Sequence, residues 1–290
     1  MACARKAMTG SRDSGVNPEN DLTPKKVSIM TDPIKYGIND GVCTVTLDRH
    51  IKSNAFNHSM LNDLVSALRQ ANDTDSCKVI LLNANGDNFS VGDDLVDATD
   101  QMPDVTQLRA FMDSLQDVSR NLMFNRKPVV GAFQGWVVGG AVSWALNCDF
   151  PIWGSSARAY LPETKYGIFA SGGLSFLLPH RAGHLLAMEM YFSGERYSAD
   201  FMRENGLALR VVADDDLQDE ALRLAMRLAE FSAASLGDYK ESIVSTYRDR
   251  LEKAIQNECF HSIIASQNPA VKEKLHEFVN GLSNIPKKVV

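Results

Sequence analysis

No two of the five cysteines, Cys3, Cys43, Cys77, Cys148 and Cys259, stand in a CxxC pair. Thiols scattered in this way give no sign of a zinc ribbon or a disulfide framework, and they fit a reducing compartment. Basic charge is also scarce. The 30 Lys and Arg face 36 Asp and Glu, leaving a formal charge of -6, so the positive field that phosphate-backbone binding needs is missing and nucleic acid is not an expected partner. An anionic small molecule remains open to the chain, because one or two local cations suffice for a phosphate. No run of about eighteen uncharged apolar residues occurs; even 128–148 is interrupted by glycines, Gln134 and Ser143, so no membrane span is expected. Neither GxGxxG nor GxxxxGKS/T is present, which removes the dinucleotide and P-loop readings. Repeats of solenoid length and low-complexity tracts are missing as well.

What is present is an ordinary globular composition, 44% hydrophobic and 23% charged over 290 residues, enough for a sizeable core. Residues 1–32 are polar, carry Gly10, Gly15, Pro18 and Pro24, and show no apolar period, so they are expected to form a flexible leader, with Met30 an alternative start. Arg5, Lys6 and Arg12 hint at an organelle address, but Asp13, Glu19 and Asp21 are out of place in an acid-poor transit peptide. A cytoplasmic location is the expectation, without excluding organelle targeting.

From residue 34 the pattern becomes regular. Asp40-Gly41 between 35–39 and 42–47 predicts a two-residue hairpin. Met60, Leu61, Leu64, Val65 and Leu68 share one face of a helix over 58–71, and a second helix carries Val105, Leu108, Phe111, Met112, Leu115, Val118 and Leu122. The continuous apolar runs 79–82, 128–133 and 149–153 read as strands buried on both faces of a sheet. Strands alternating with helices predict an α/β fold with parallel pairing. From about His184 onward the pattern reads as nearly all helical. The expected organisation is a leader over 1–32, an α/β core over 33–195 and a helical C-terminal region over 196–290.

Two glycine-containing loops follow buried strands. One is Asn88-Phe89-Ser90-Val91-Gly92-Asp93-Asp94-Leu95; the other runs from Gly131 through Gln134-Gly135 and Gly139-Gly140-Ala141 to Ser143. Glycine lets a ligand approach the main chain, and a helix N-terminus offers free N–H groups to an oxyanion. Either loop alone would read as a tight turn. Together with Lys127-Pro128-Val129-Val130, Asn147-Cys148-Asp149-Phe150, Asn54-Ala55 after Leu47-Asp48-Arg49, and Leu161-Pro162-Glu163-Thr164-Lys165-Tyr166-Gly167, they resemble the enoyl-CoA hydratase/isomerase, or crotonase, superfamily from about residue 34 to 278.

That resemblance implies a superhelix of ββα turns followed by C-terminal helices that pack trimers or dimers of trimers. It implies an acyl-CoA thioester as the small-molecule substrate, with coenzyme A arriving as part of that substrate and no separate cofactor or metal. The oxyanion amides fall on Asp93 and Gly140. An α-proton of a thioester is too weakly acidic to leave unaided, and two preorganised donors stabilise the enolate oxygen, one such donor being worth about 3 kcal/mol. Coenzyme A is expected along Lys52, Asn54, Ala55, Gly92, Asp94 and Leu95, with Lys274 and Phe278 reaching a neighbouring subunit's ligand.

Standard hydratases of the family carry two glutamates, at the positions matching Ser143 and Glu163. Here only Glu163 is acidic. One carboxylate suffices to lift a proton from one carbon and return it two carbons away, so isomerisation of an enoyl-CoA is favoured. Hydration remains open, with Ser143 placing a water, because some members with this Ser/Glu pair resemble hydratases. A non-catalytic binding protein on the same fold is the third reading. The alternative acidic position of the family, within 169–173, offers only Ser171, and Asp93 departs from the small or apolar residue usual beside the oxyanion. Ala141-Val142-Ser143-Trp144-Ala145 superficially matches a nucleophile elbow but lacks the direct strand-to-helix turn. His180 and His184 lack a third ligand and are separated by Gly183.

Overall fold

Asp40 and Gly41 adopt φ of 47° and 81°, the left-handed pair that a two-residue hairpin requires. They join β1 (Ile34–Asn39) to β2 (Val42–Leu47) in an antiparallel ladder. In this computed structural model residues 32–94 and 105–283 are described, with only the backbone for 278–283. The expected leader lies outside these residues, apart from its last position. The described residues belong to one compact unit.

The remaining strands are β3 (Val79–Ala84), β4 (Val129–Phe133), β5 (Trp136–Val138), β6 (Phe150–Gly154), β7 (Arg158–Tyr160), β8 (Arg196–Ser198) and β9 (Arg210–Val212). The helices are α1 (His58–Asp73), α2 (Val105–Met123), α3 (Gly140–Asn147), α4 (Glu163–Tyr166), α5 (Leu174–Ala182), α6 (His184–Phe192), α7 (Ala199–Glu204), α8 (Leu217–Ala229), α9 (Ala233–Ser245), α10 (Arg248–Gln267) and α11 (Pro269–Ser283). A six-stranded sheet has the order β1-β2-β3-β4-β6-β9, parallel from β2 onward, and a second sheet has the order β5-β7-β8. Two passages, β4-β5-α3 and β6-β7-α4, each give one strand to the large sheet, one to the small sheet and then a helix. This is the ββα succession that the sequence implied.

The largely apolar strands β3, broken only by the half-buried Asn83, and β4 are buried on both faces because helices cover both. On one face α1, α2 and α3 enclose Leu47, Leu61, Leu64, Leu68, Val118 and Trp144; on the other Ala221, Ala225 and Ala229 of α8 pack on Val42, Leu81 and Ile152. The expectation of an almost wholly helical chain after His184 needs correcting, since β8 and β9 lie within it. These are three-residue strands whose pairing comes from β7 and β6. A segment that short has no period of its own, so only the partner strand reveals it.

α9 is fastened to the core by a buried cation. Lys240 Nζ donates to the carbonyls of Leu122 (2.8 Å) and Lys127 (2.9 Å) and meets Asp149 Oδ2 at 2.8 Å, while that same oxygen accepts the Val129 N–H at 2.8 Å. Replacing Lys240 by Met would leave a half-buried carboxylate and two carbonyls without their cation. The expected cost is about 3 kcal/mol, a loss of roughly 10 °C in Tm, read by thermal melting.

Candidate active site

Three parallel segments end side by side. Ser90 bridges Val137, with the Ser90 N–H donating to Trp136 O and the Val138 N–H donating to Ser90 O, both at 3.0 Å. β5 then pairs with β7, and the Gly139 N–H donates to Tyr160 O at 2.9 Å. Followed two or three residues past this register, the three segments deliver Asp93, Gly140 and Glu163 to one edge. Carboxyl ends of parallel strands are where α/β folds place ligands.

The first loop is pinned by its neighbours. Asn54, at φ 53° and fully buried, accepts the Arg49 N–H and donates to the carbonyls of Asn85 and Asn88. Ser90 Oγ donates to Asn54 O at 2.7 Å, and Arg49 Nη1 bridges Ala55 O (2.6 Å) and Asp94 Oδ2 (2.7 Å). The Phe56 N–H donates to Gly92 O and the Asp94 N–H to Phe56 O, both at 3.0 Å. That pairing turns the N–H of Asp93 away from Phe56, and among the described residues nothing accepts from it.

The second amide opens α3, whose eight residues are all buried. Gly140 is its first helical residue, so its N–H has no intrahelical acceptor and sits at the positive end of the helix. Gly139 before it adopts φ 58°, ψ -123°, a region open to glycine alone. A Cβ on Gly139 would lie 3.1 Å from Glu163 Oε1, and one on Gly140 would lie 3.0 Å from the Phe56 ring. Phe56 in turn packs on Trp144 with ring centroids 4.7 Å apart. The double glycine therefore lets the acidic side chain lie directly against the main chain that carries the free Gly140 N–H.

Glu163 begins α4 and is only 7% exposed. Its Oε2 is buried without a partner. Burial pushes its carboxyl from the ordinary 4.5 up to about 8; its own backbone N–H works in the opposite sense, and the nearby carboxylates of Asp93 and Glu258 push further up. Among the described residues no cation is among the charges acting on it. Asp93 is half-buried, and desolvation lifts its carboxyl to about 6.

Ser143 is buried in α3, where its hydroxyl donates to Gly140 O at 2.6 Å. Gly172 lies against it so closely that a Cβ there would sit 2.1 Å from Ser143 Oγ. Ser171 Oγ is 3.4 Å from the position of a Cβ on Gly140. Of the residues expected along coenzyme A, Asn54 and Asp94 have side chains engaged in holding the first loop, Ala55 gives its carbonyl to Arg49, and Gly92 donates its N–H to Ser90 Oγ at 3.2 Å. Lys52 is exposed at the end of the 3-10 turn His50–Lys52, just before Asn54. Leu95 lies outside the described residues. Lys274 is exposed on α11, which packs on the α4 corner through Val271, 2.9 Å from where a Cβ on Gly167 would stand. The side chain of Phe278 lies outside the described residues.

Two groups near the site escaped the sequence reading. Glu258 on α10 is 0% exposed and accepts the N–H groups of Gly173 and Ser175, both at 2.7 Å. Its signal was available, since Leu251, Ile255 and Glu258 fall on one helical face and an acid on an apolar face is anomalous. Tyr191 on α6 has a buried, unpartnered hydroxyl, and desolvation followed by the charges of Glu258 and Glu163 raises its phenol far above its ordinary value. Nothing in its local sequence marked it.

The profile of the enoyl-CoA hydratase/isomerase family matches residues 37–283. The chain is 31% identical over 255 residues to the 1,2-epoxyphenylacetyl-CoA isomerase of Escherichia coli K12, covering 86% of this chain and 96% of the relative. It is 29% identical over 217 residues to the 2,3-dehydroadipyl-CoA hydratase of the same organism, covering 75% and 84%. A solved enoyl-CoA hydratase/isomerase from Xanthobacter autotrophicus Py2 superposes with a TM-score of 0.79 at 25% identity, over 88% of this chain and 98% of that one. With a matching profile over most of its length and the ββα architecture around two converging backbone amides, the chain belongs to the enoyl-CoA hydratase/isomerase family of crotonase-fold enzymes.

Proposed function

We propose that the protein is an enoyl-CoA isomerase in which the N–H groups of Asp93 and Gly140 hold the thioester oxygen and Glu163 moves one proton between two carbons of the acyl chain. The carrying observation is Glu163 itself, a buried carboxyl with an unpartnered oxygen, seated against Gly139 beside one of the two free amides. Ionised Glu163 removes a proton from the carbon next to the thioester carbonyl. Charge passes to the thioester oxygen, where the two amides meet it. The protonated carboxyl then returns the proton two carbons further along, and the double bond has moved.

Hydration, the second reading, needs a placed water. Ser143 spends its donor on Gly140 O, which favours isomerisation; only its lone pairs remain for a water. Lys52, Asn54, Ala55, Gly92, Asp94 and Leu95 are proposed to line the coenzyme A path, Asn54 and Asp94 by shaping it. Lys274 and Phe278 are proposed to reach a neighbouring subunit's ligand. Assembly as a homotrimer or a dimer of trimers is supported by Leu185 and Phe192, large apolar side chains exposed on α6, and by Phe260 and Ile264 on α10. Among the described residues no helix is long and apolar enough to cross a membrane, and Cys43, Cys77, Cys148 and Cys259 are free thiols, which supports a reducing compartment such as the cytoplasm.

Replacing Glu163 by Gln keeps its shape and removes its basicity. Turnover of a 3-enoyl-CoA into the 2-enoyl isomer should fall ~1,000-fold with thioester binding retained, measured by steady-state kinetics and calorimetry; unchanged turnover would sink the single-base mechanism. Running the wild-type reaction in oxygen-18 water separates the two readings. Isomerisation leaves the product unlabelled, while a labelled 3-hydroxyacyl product would establish hydration.

The pH profile gives a third check. Deprotonation of the substrate requires ionised Glu163, and a carboxyl held at about 8 is largely protonated at neutral pH. The isomerase kcat/KM is therefore expected to rise with pH and level off above about 8. An unperturbed glutamate would give a plateau from pH ~5.5 upward.

A further inference from the structure

Glu258 belongs to none of the motifs and to none of the steps above, yet it is the most deeply placed carboxylate near the site. Its two oxygens take the N–H groups of Gly173 and Ser175, at the start of α5. The adjoining Gly172 is held from both sides, its N–H donating to Gln116 Oε1 of α2 and its carbonyl accepting from Asn147 Nδ2 of α3, each at 2.8 Å. Side chains from three helices thus clamp residues 172–175. The clamped segment is the one that presses Gly172 on Ser143 and Ser171 on Gly140.

A cap for α5 needs only a neutral acceptor, such as Ser or Asn. A fully buried carboxylate there is costly unless its charge has a use. The titratable groups facing Glu258 are Glu163 from α4 and Tyr191 from α6; from α2 and α5 it meets Gln116 and backbone amides. Glu163 in turn faces Asp93, Glu258 and Tyr191.

We propose that Glu258 is a positioning residue of the active site, which fixes residues 171–175 beneath the acyl pocket and acts through space on the proton of Glu163, so that α10 serves catalysis as well as packing. The proposal rests on Glu163 being the acid/base. Burial holds the Glu258 carboxyl itself at about 7, below Glu163 at about 8. The two acids titrate as a pair, and a negative charge on Glu258 opposes loss of the Glu163 proton.

The test reads the Glu163 proton without relying on turnover. Because folded Glu163 titrates near 8 rather than 4.5, the stability it contributes is full below 4.5 and is lost as pH rises through about 8. Glu163→Gln lacks that dependence. The stability difference between wild type and E163Q, followed by denaturant melts across pH, reports the folded titration of Glu163. Its upper midpoint is expected near 8 with Glu258 present, and to fall by roughly 1 pH unit when the same pair is compared in an E258Q background. The rising limb of the isomerase profile should move with it. An unmoved midpoint would overturn the proposal.

Glu258→Asp keeps the charge on a shorter arm and covers the case in which E258Q does not fold. It should leave the midpoint near 8 while KM for the enoyl-CoA rises several-fold; a midpoint displaced as far as expected for E258Q would also overturn the proposal. A shifted midpoint in a protein without isomerase activity would refute the proposed reaction and still establish the coupling between the two acids.

Discussion

A carboxyl group kept out of water without a cation is the constraint around which this molecule is arranged. Glu163 tolerates its position because α4 begins at it, because Gly139 has no side chain to displace it, and because the site is closed by α6 and α10. Each of these conditions depends on a different part of the chain. α4 is a four-residue helix ended by Gly167 in the left-handed region and braced by Val271 of the last helix. Gly139 is fixed by its hydrogen bond to Tyr160, the residue that ends β7 three places before Glu163. The small sheet thus sets the distance between the acid and the proposed oxyanion donor, while the large sheet supplies the buried mass behind them.

The oxyanion half is built on a different principle. Polar side chains that could have met a ligand are consumed in holding backbone. Asn54 makes one hydrogen bond within its own turn and two across to the carbonyls of Asn85 and Asn88, Arg49 joins two loops through Ala55 O and Asp94, and Ser90 ties the strand end to Asn54. A donor that must meet a developing charge gains from being immobile, because no reorganisation is then required as the charge appears. Main-chain N–H groups in a cross-braced loop satisfy that demand better than a mobile side chain.

Much of this was legible in the sequence because it rests on local chemistry. Asp40-Gly41 announced a hairpin, the apolar runs announced β3, β4 and β6, and the double glycine ahead of Ala141 announced a backbone approach. What escaped depends on partners far along the chain. β5 and β7 are three residues each and exist because they lie beside one another, so Trp136–Val138 read as part of a loop. β8 and β9 were lost in a helical pattern for the same reason. Tyr191 is significant only because α6 folds over α4, a contact no local pattern encodes. Glu258 could have been found, since an acid at an apolar helical position contradicts the pattern around it.

Asp93 is the residue whose presence most needs a physical account, for under the proposed mechanism its carboxylate stands beside the oxyanion hole and opposes the charge that the hole must hold. The opposition is smaller than it looks once the proton inventory is followed. Before the reaction the negative charge is on Glu163, where Asp93 already repels it and helps hold the carboxyl at about 8. In the proposed reaction, proton abstraction neutralises Glu163 and places the same charge on the thioester oxygen. The site's total charge is unchanged, and the penalty at the enolate is offset by the repulsion relieved at Glu163. What survives is the difference between the two separations from Asp93. The same repulsion makes Glu163 a stronger base than an isolated glutamate, which an α-proton of low acidity requires. A lone base in a negative surround and an oxyanion hole made of backbone amides are therefore compatible parts of one design. The field that weakens the hole strengthens the base, and the amides supply their stabilisation whatever the side chain at position 93.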